Sequence, residues 1–278
     1  MRPRTLSLVG SLFFLAVTTS FGQQAEPTPA ASMSVATLSE MSCSGLISGA
    51  PLSKDLYVFA GADNDFHSEY HYWVKGDYVY LHSRTGATPA AGNEFSIVRP
   101  AKELMRIRWY DGQGSSLASL GTGYEDVARV KVTTVTPHGA VAEVTFACMP
   151  IATGDLAVAR PVRTGPQYTP SGRLDRFGPP NGKLLGAVTA TTDNKVYVGN
   201  QGLVYINLGQ SDGVAAGQKF RVFHIARETM YTGLTAPPES PRENIGEIVI
   251  LSTEDRASVG MVVQCTREIT LGDGVEQQ

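Results

Sequence analysis

Asp63, Asp65, His67, Glu69 and His71 alternate along the chain with Asn64, Phe66, Ser68, Tyr70 and Tyr72. An extended segment of that pattern puts two imidazoles and three carboxylates on one face. Nitrogen and oxygen donors grouped this way can hold a divalent metal, and His67, Glu69 and His71 are the candidate ligands, as a metal-dependent hydrolase would need. A second candidate is aromatic: Phe66, Tyr70, Tyr72 and Trp73 would offer a face to sugar rings or to a partner strand. A hairpin with one wet side and one packed side produces the same alternation, and no third His or Cys lies nearby to complete a metal shell.

Other catalytic patterns lack their supporting elements. Gly209-Gln210-Ser211-Asp212-Gly213 has the spacing of a nucleophile elbow. An elbow requires a helix after the serine, and here Val-Ala-Ala-Gly and a strand-like run follow. The five histidines, 67, 71, 82, 138 and 224, form no His-Glu-x-x-His or paired-cysteine signature. Asp111 to Ser116 contains spaced glycines without the Lys-Ser/Thr helix start of a phosphate cradle, and reads as a mobile loop in a second insertion, Met105 to Glu125. These patterns predict a non-enzymatic protein without a cofactor.

The elements that would carry these residues are short strands, arranged in two copies. A shift of 125 residues aligns Tyr78-Val79-Tyr80-Leu81 with Leu203-Val204-Tyr205-Ile206, and Ala90 to Phe95 with Ala215 to Phe220. With one-residue slips, Val127 to Val135 matches Gly246 to Thr253, Cys148 matches Cys265, and Gly154-Asp155 matches Gly272-Asp273. Upstream, Leu46 to Gly49 is a weaker counterpart of Lys183 to Gly186. On that alignment copy one carries about a dozen extra residues within Gly61 to Val74. Copy two predicts six strands, 184–189, 195–198, 204–208, 218–224, 245–251 and 257–265, separated by Gly, Asp, Asn, Ser and Pro. No stretch holds a helical apolar period over three turns. The expected fold is all-β: two tandem small antiparallel barrels, SH3-like, or sandwiches, since closure removes exposed edges.

The expected organisation is a signal peptide at 1–22, a flexible tether at 23–40, repeat one at 41–163 with its insertion at 61–74, a Pro/Gly-rich linker at 164–182, and repeat two at 183–278. Arg2 and Arg4 precede an apolar run from Leu6 to Val17, too short to span a bilayer, and small residues follow at positions 20 and 22. The expected location is a periplasm or the cell exterior, with no membrane-spanning segment after cleavage. The charged residues, 23 basic and 26 acidic, give −3, which argues against nucleic acid as a partner. In an oxidising compartment one pair of the three cysteines can bridge. The repeat puts Cys148 and Cys265 in separate barrels and Cys43 ahead of the first strand, which favours a Cys43–Cys148 bridge with Cys265 a buried thiol. Three buried thiols are the alternative.

Val204 to Gly209, followed by Ser211-Asp212-Gly213-Val214 and Gly217-Gln218-Lys219-Phe220, resembles the C-terminal module of the flagellar assembly protein T family. The likeness covers roughly 183–275 and, loosely, 44–160. It implies a small β-barrel used for docking or assembly at the outer membrane or cell wall, with no catalytic residue to carry over. The expected function is therefore that of an exported docking module, with another envelope protein or a cell-wall glycan as partner.

Overall fold

Alternating apolar residues close the chain into two six-stranded antiparallel barrels in tandem. The computed structural model describes residues 32–62, 72–106, 108–160, 162–225 and 241–278. The expected leader and the segment from Asp63 to His71 lie outside these. Barrel 1 consists of β1 (Leu56–Gly61), β2 (Tyr78–Ser83), β3 (Glu94–Pro100), β4 (Thr122–Thr136), β5 (Gly139–Ala147) and β6 (Leu156–Val158). Barrel 2 consists of β7 (Leu185–Thr191), β8 (Leu203–Ile206), β9 (Lys219–Ile225), β10 (Arg242–Thr253), β11 (Ser258–Cys265) and β12 (Gly274–Gln277). Around each barrel the order is first, second, fifth, fourth, third and sixth strand. Inward positions such as Val58, Val79, Leu81 and Ile97 fill barrel 1, and Val188, Val204, Ile206 and Val222 fill barrel 2.

The pairing registers align the barrels residue by residue. Val58 answers to Val188 (an offset of 130), Tyr80 to Tyr205 (125) and Val130 to Ile248 (118). Each β-bulge of barrel 1 at Val58/Ala60, Ile97/Val98 and Val132/Thr134 recurs in barrel 2 at Val188/Ala190, Val222/Phe223 and Ile250/Ser252. Bulges fix register and curvature, so a shared set marks a duplicated fold. Turn glycines recur too: Gly92 and Gly217 adopt φ of 85° and 87°, and each donates its N–H to the fourth strand, at Val132 and Ile250.

These registers correct the sequence alignment in four places. Leu56, not Gly49, answers to Gly186, so the extra residues between β1 and β2 number five: Val58 to Tyr80 is 22 positions and Val188 to Tyr205 is 17. The displaced segment Leu46–Ser48 is an added strand on the edge of β4. Cys265 answers to Ala147, and Cys148 to Thr266, which repeats its N–H bond to the fourth strand. The predicted strand at 195–198 is only Tyr197–Val198, paired with Ile269–Thr270 outside the barrel, while the closing strand β12 lies beyond the Gly272-Asp273 turn. One side of each strand reads clearly in sequence, but a one-residue slip reverses which side that is.

Segments expected to be loose are built in. Within the expected tether, Met33–Ser34 pairs with Gln167–Tyr168 of the Pro/Gly-rich stretch, and Thr37 caps α1 (Leu38–Ser42) through a reciprocal bond pattern with Glu40. The Pro/Gly-rich stretch runs over barrel 2, where Lys219 Nζ donates to Thr169 O at 2.7 Å and Arg221 Nη1 to Pro179 O at 3.2 Å. The second insertion, expected as a loop at Met105 to Glu125, is structured: α2 (Lys102–Arg106) runs into it, α3 (Gln113–Leu120) lies within it, and Thr122 to Glu125 belongs to β4. Leu104, Leu117 and Leu120 bury themselves with Ile47 against Ala190, Tyr205, Ala257 and Val259 of barrel 2. The two barrels therefore share a core.

Candidate functional site

The bulge in β1 turns Phe59 outward beside β2, where period two sends Val79 and Leu81 inward and Tyr78, Tyr80 and His82 outward. Phe59 is 59% exposed, Tyr78 40% and Tyr80 39%. The His82 ring lies 5.6 Å from Tyr57 and 6.1 Å from Phe59, and the Arg84 guanidinium sits 4.3 Å over the Tyr57 ring. The platform is anchored at one end by Asp55, which accepts the Thr85 N–H at 2.7 Å and the Ser83 hydroxyl at 3.0 Å. The Thr85 backbone bond holds the Asp55 carboxyl below its ordinary pKa. An aromatic surface of this kind can take apolar side chains or ring faces of a partner. This face is not among the sequence-derived candidates, which centred on Phe66 to Trp73; the signal that could have found it is the strict alternation in Tyr78-Val79-Tyr80-Leu81-His82.

Where barrel 2 presents the homologous face, it is covered. Tyr205 and Val259, the counterparts of Tyr80 and Val141, are 4% and 2% exposed, pressed against α3 and Ile47. The Tyr205 hydroxyl donates to Ser44 O at 3.0 Å, and its burial raises the phenol pKa. Thr189, the bulge residue answering to Phe59, presents its carbonyl to Gln113 Nε2 at 2.8 Å. Arg163 closes the contact by donating to Ser44 Oγ at 2.8 Å and pairing with Asp126, whose carboxylate also accepts the Gly45 N–H at 2.9 Å. Gly45 has φ of +65°, and a Cβ there would meet the Tyr205 hydroxyl, so glycine is required.

Between the barrels lies a cleft of about 350 Å³, walled by Leu104, Tyr205 and the Cys43–Cys148 disulfide and rimmed by Glu103, Glu125 and Asp193. Burial raises the Glu125 carboxyl pKa against the pull of Arg99, and Asp193 and Asp155 add to the rise. Of the polar groups that line it, the Tyr205 hydroxyl already bridges to Ser44, and Asp126 is taken by Arg163 and the Gly45 N–H. A second cavity, of about 380 Å³, contains His224, with Nδ1 2.6 Å from Asp273 Oδ1. The homologous Asp155 takes Arg99 instead, at 2.7 and 2.8 Å. Both carboxylates accept a turn N–H three residues upstream, from Ala152 at 2.8 Å and Thr270 at 2.7 Å. What the copies share is a carboxylate that ties the last turn, with a cation-capable partner on β3 or β9. Ser211 donates its hydroxyl to Asp255 O at 2.8 Å within a single 3-10 turn, which matches a loop lock rather than a nucleophile elbow.

Of the residues singled out in the sequence, Tyr72, Trp73, Cys43 and Cys148 fall among the described ones. Phe66, His67, Glu69, Tyr70 and His71 lie outside the described residues. Tyr72 is 60% exposed, but Trp73 is 7% exposed and belongs to the barrel 1 core, which removes it from any open aromatic face. Its backbone bridges Ile151, as Val198 bridges Ile269 in barrel 2. Its indole fills the space over Gly61, where a Cβ would fall 1.8 Å from Nε1. Cys43 and Cys148 form a disulfide with Cα atoms 5.5 Å apart, and Cys265 is a half-buried thiol. The bridge ties the C-terminus of α1 to the end of β5. Among the described residues no group of three or more His, Cys, Asp or Glu is placed to hold a metal, and no helix is long and apolar enough to cross a membrane. No protein-family model matches the chain, and no curated protein matches it.

Proposed function

We propose that the protein is an exported, non-enzymatic docking module of a cell envelope, and that the Phe59, Tyr78 and Tyr80 face of barrel 1 is its binding surface. One observation carries this reading: the homologous face of barrel 2 is already a protein-docking face, buried against α3 and Ile47. The apolar leader with Arg2 and Arg4, and a disulfide that an oxidising compartment would preserve, support export. The likeness of 183–275 to an envelope assembly module points the same way. Replacing Phe59 by the photo-reactive amino acid p-benzoylphenylalanine in intact cells tests it. Irradiation is expected to give a protein adduct of discrete mass that disappears when Tyr80→Glu is added, and uncoupled chain alone at every exposure time would overturn it.

A cell-wall glycan is the second reading, favoured by the open rings of Tyr78 and Tyr80, since sugar faces stack on such rings. It requires co-sedimentation of the protein with purified peptidoglycan, abolished by Tyr80→Ala.

A further inference from the structure

We propose that the aromatic face of barrel 1 receives the Asp175 to Gly178 edge of a second copy of this chain, so that molecules join head to tail. The inference rests on the docking reading above and names its partner. Inside one molecule, barrel 2 offers its β7, β8 and β11 face to the segment from Ser44 to Ile47 and to α3 of barrel 1. Barrel 1 owns the same face, built from residues at the same register: Phe59 for Thr189, Ala60 for Ala190, Tyr78 for Leu203, Tyr80 for Tyr205 and Val141 for Val259. That face is open to solvent.

Barrel 2 also owns a counterpart of the inserting edge. Beside β4, Gly45 donates its N–H to Asp126 at 2.9 Å. Beside β10, the homologous position is Asn244, which donates its N–H to Arg176 O at 2.7 Å and its side-chain amide to Asp175 O and Gly178 O at 2.8 and 3.1 Å. The chain preceding each barrel thus runs along the same strand edge. In barrel 1 the edge buries Ile47 in barrel 2, whereas in barrel 2 it leaves Phe177 62% exposed. Among the described residues one donor edge and one acceptor face stay unpartnered, on different barrels, and repeating the intramolecular contact between copies satisfies both. Glu143 stands in the acceptor where barrel 2 has Met261, and Arg176, which lies over the Phe177 ring and pairs its Nε with Glu243 at 2.7 Å, brings an exposed guanidinium to the donor edge. Such a heterologous contact propagates into a ring or a filament rather than stopping at a symmetric pair.

Sedimentation velocity on the protein exported from the full-length sequence, from micromolar to several hundred micromolar, tests this. The weight-average sedimentation coefficient is expected to rise with concentration, and Tyr80→Glu and Phe177→Ser are each expected to remain monomeric. Both sites are exposed, and a thermal transition matching that of the parent protein certifies folding, with Phe59→Ser as a second acceptor variant. An equimolar mixture of Tyr80→Glu and Phe177→Ser is expected to form dimer and nothing larger, because one intact edge then meets one intact face. A parent protein that stays monomeric throughout overturns the proposal. So does association lost in Tyr80→Glu, kept in Phe177→Ser and not rescued by mixing, which describes a symmetric face-to-face dimer. If the parent is monomeric while the cellular adduct from position 59 has the mass of a different protein, self-association fails and the docking reading survives.

Discussion

At the residue scale, Trp73 and its neighbour Tyr72 separate folding from surface. The indole of Trp73 packs over Gly61 inside barrel 1, so Trp73→Ala should cost about 3–5 kcal/mol, whereas Tyr72→Ala, at an exposed site, should stay within about 0.5 kcal/mol. Urea titrations of the two variants check both values. Glu276 gives a pH signature. Burial opposes its ionisation, but bonds from Arg242 and the Asn181 N–H, with the charges of Arg242 and Arg221, outweigh burial and lower its pKa. A carboxylate with a folded pKa below its unfolded value near 4.5 adds stability that is complete above that value and is lost as pH falls through the folded pKa. Denaturation midpoints measured downward from pH 5 should therefore fall less steeply in Glu276→Gln than in the parent. The alternating tyrosines of β2 were legible as a strand with two faces. That Trp73 would be core was not, because only the pairing with Ile151 sets its side.

At the element scale, the additions to the barrel make the contacts between copies. The α3 helix is two turns long and its outward residues are polar, so its apolar pattern was too brief to read as a helix; Leu117 and Leu120 acquire meaning only against Tyr205 and Val259. The disulfide acts on a similar add-on, holding α1 to the end of β5 across 105 residues of sequence. Replacing both Cys43 and Cys148 by Ser should lower stability by about 2–5 kcal/mol, mainly by freeing the unfolded chain. Equilibrium unfolding with and without reductant provides the measurement, and reductant should leave the double variant unchanged. The pairing of these two cysteines was open to reasoning from the repeat, although the elements they join were not, since Leu46–Ser48 and α1 are extra to the barrel.

At the scale of the whole molecule, a shared core makes two barrels one unit. Arg163 is the linchpin: it immediately precedes the Pro/Gly-rich stretch and pairs with Asp126, which is buried, while also reaching Ser44 and, in barrel 2, Ser252. Arg163→Ala strands that carboxylate and should cost about 3–5 kcal/mol. Calorimetry should show one transition for the parent and two for the variant, one per barrel, and a single unshifted transition would contradict the role given to Arg163.

The sequence by itself determined the all-β class, the duplication and the rough positions of most strands. These follow from period-two patterning and from turn glycines, which are local and repeat wherever the backbone repeats. Only the tertiary structure decided the register to the residue, the closing strands after each Gly-Asp turn, the burial of Trp73, and the fact that one of two homologous faces is covered. Coverage depends on residues far away in sequence: Tyr80 and Tyr205 share a strand position and a residue type, and differ because α3 and Ile47 reach one of them and not the other.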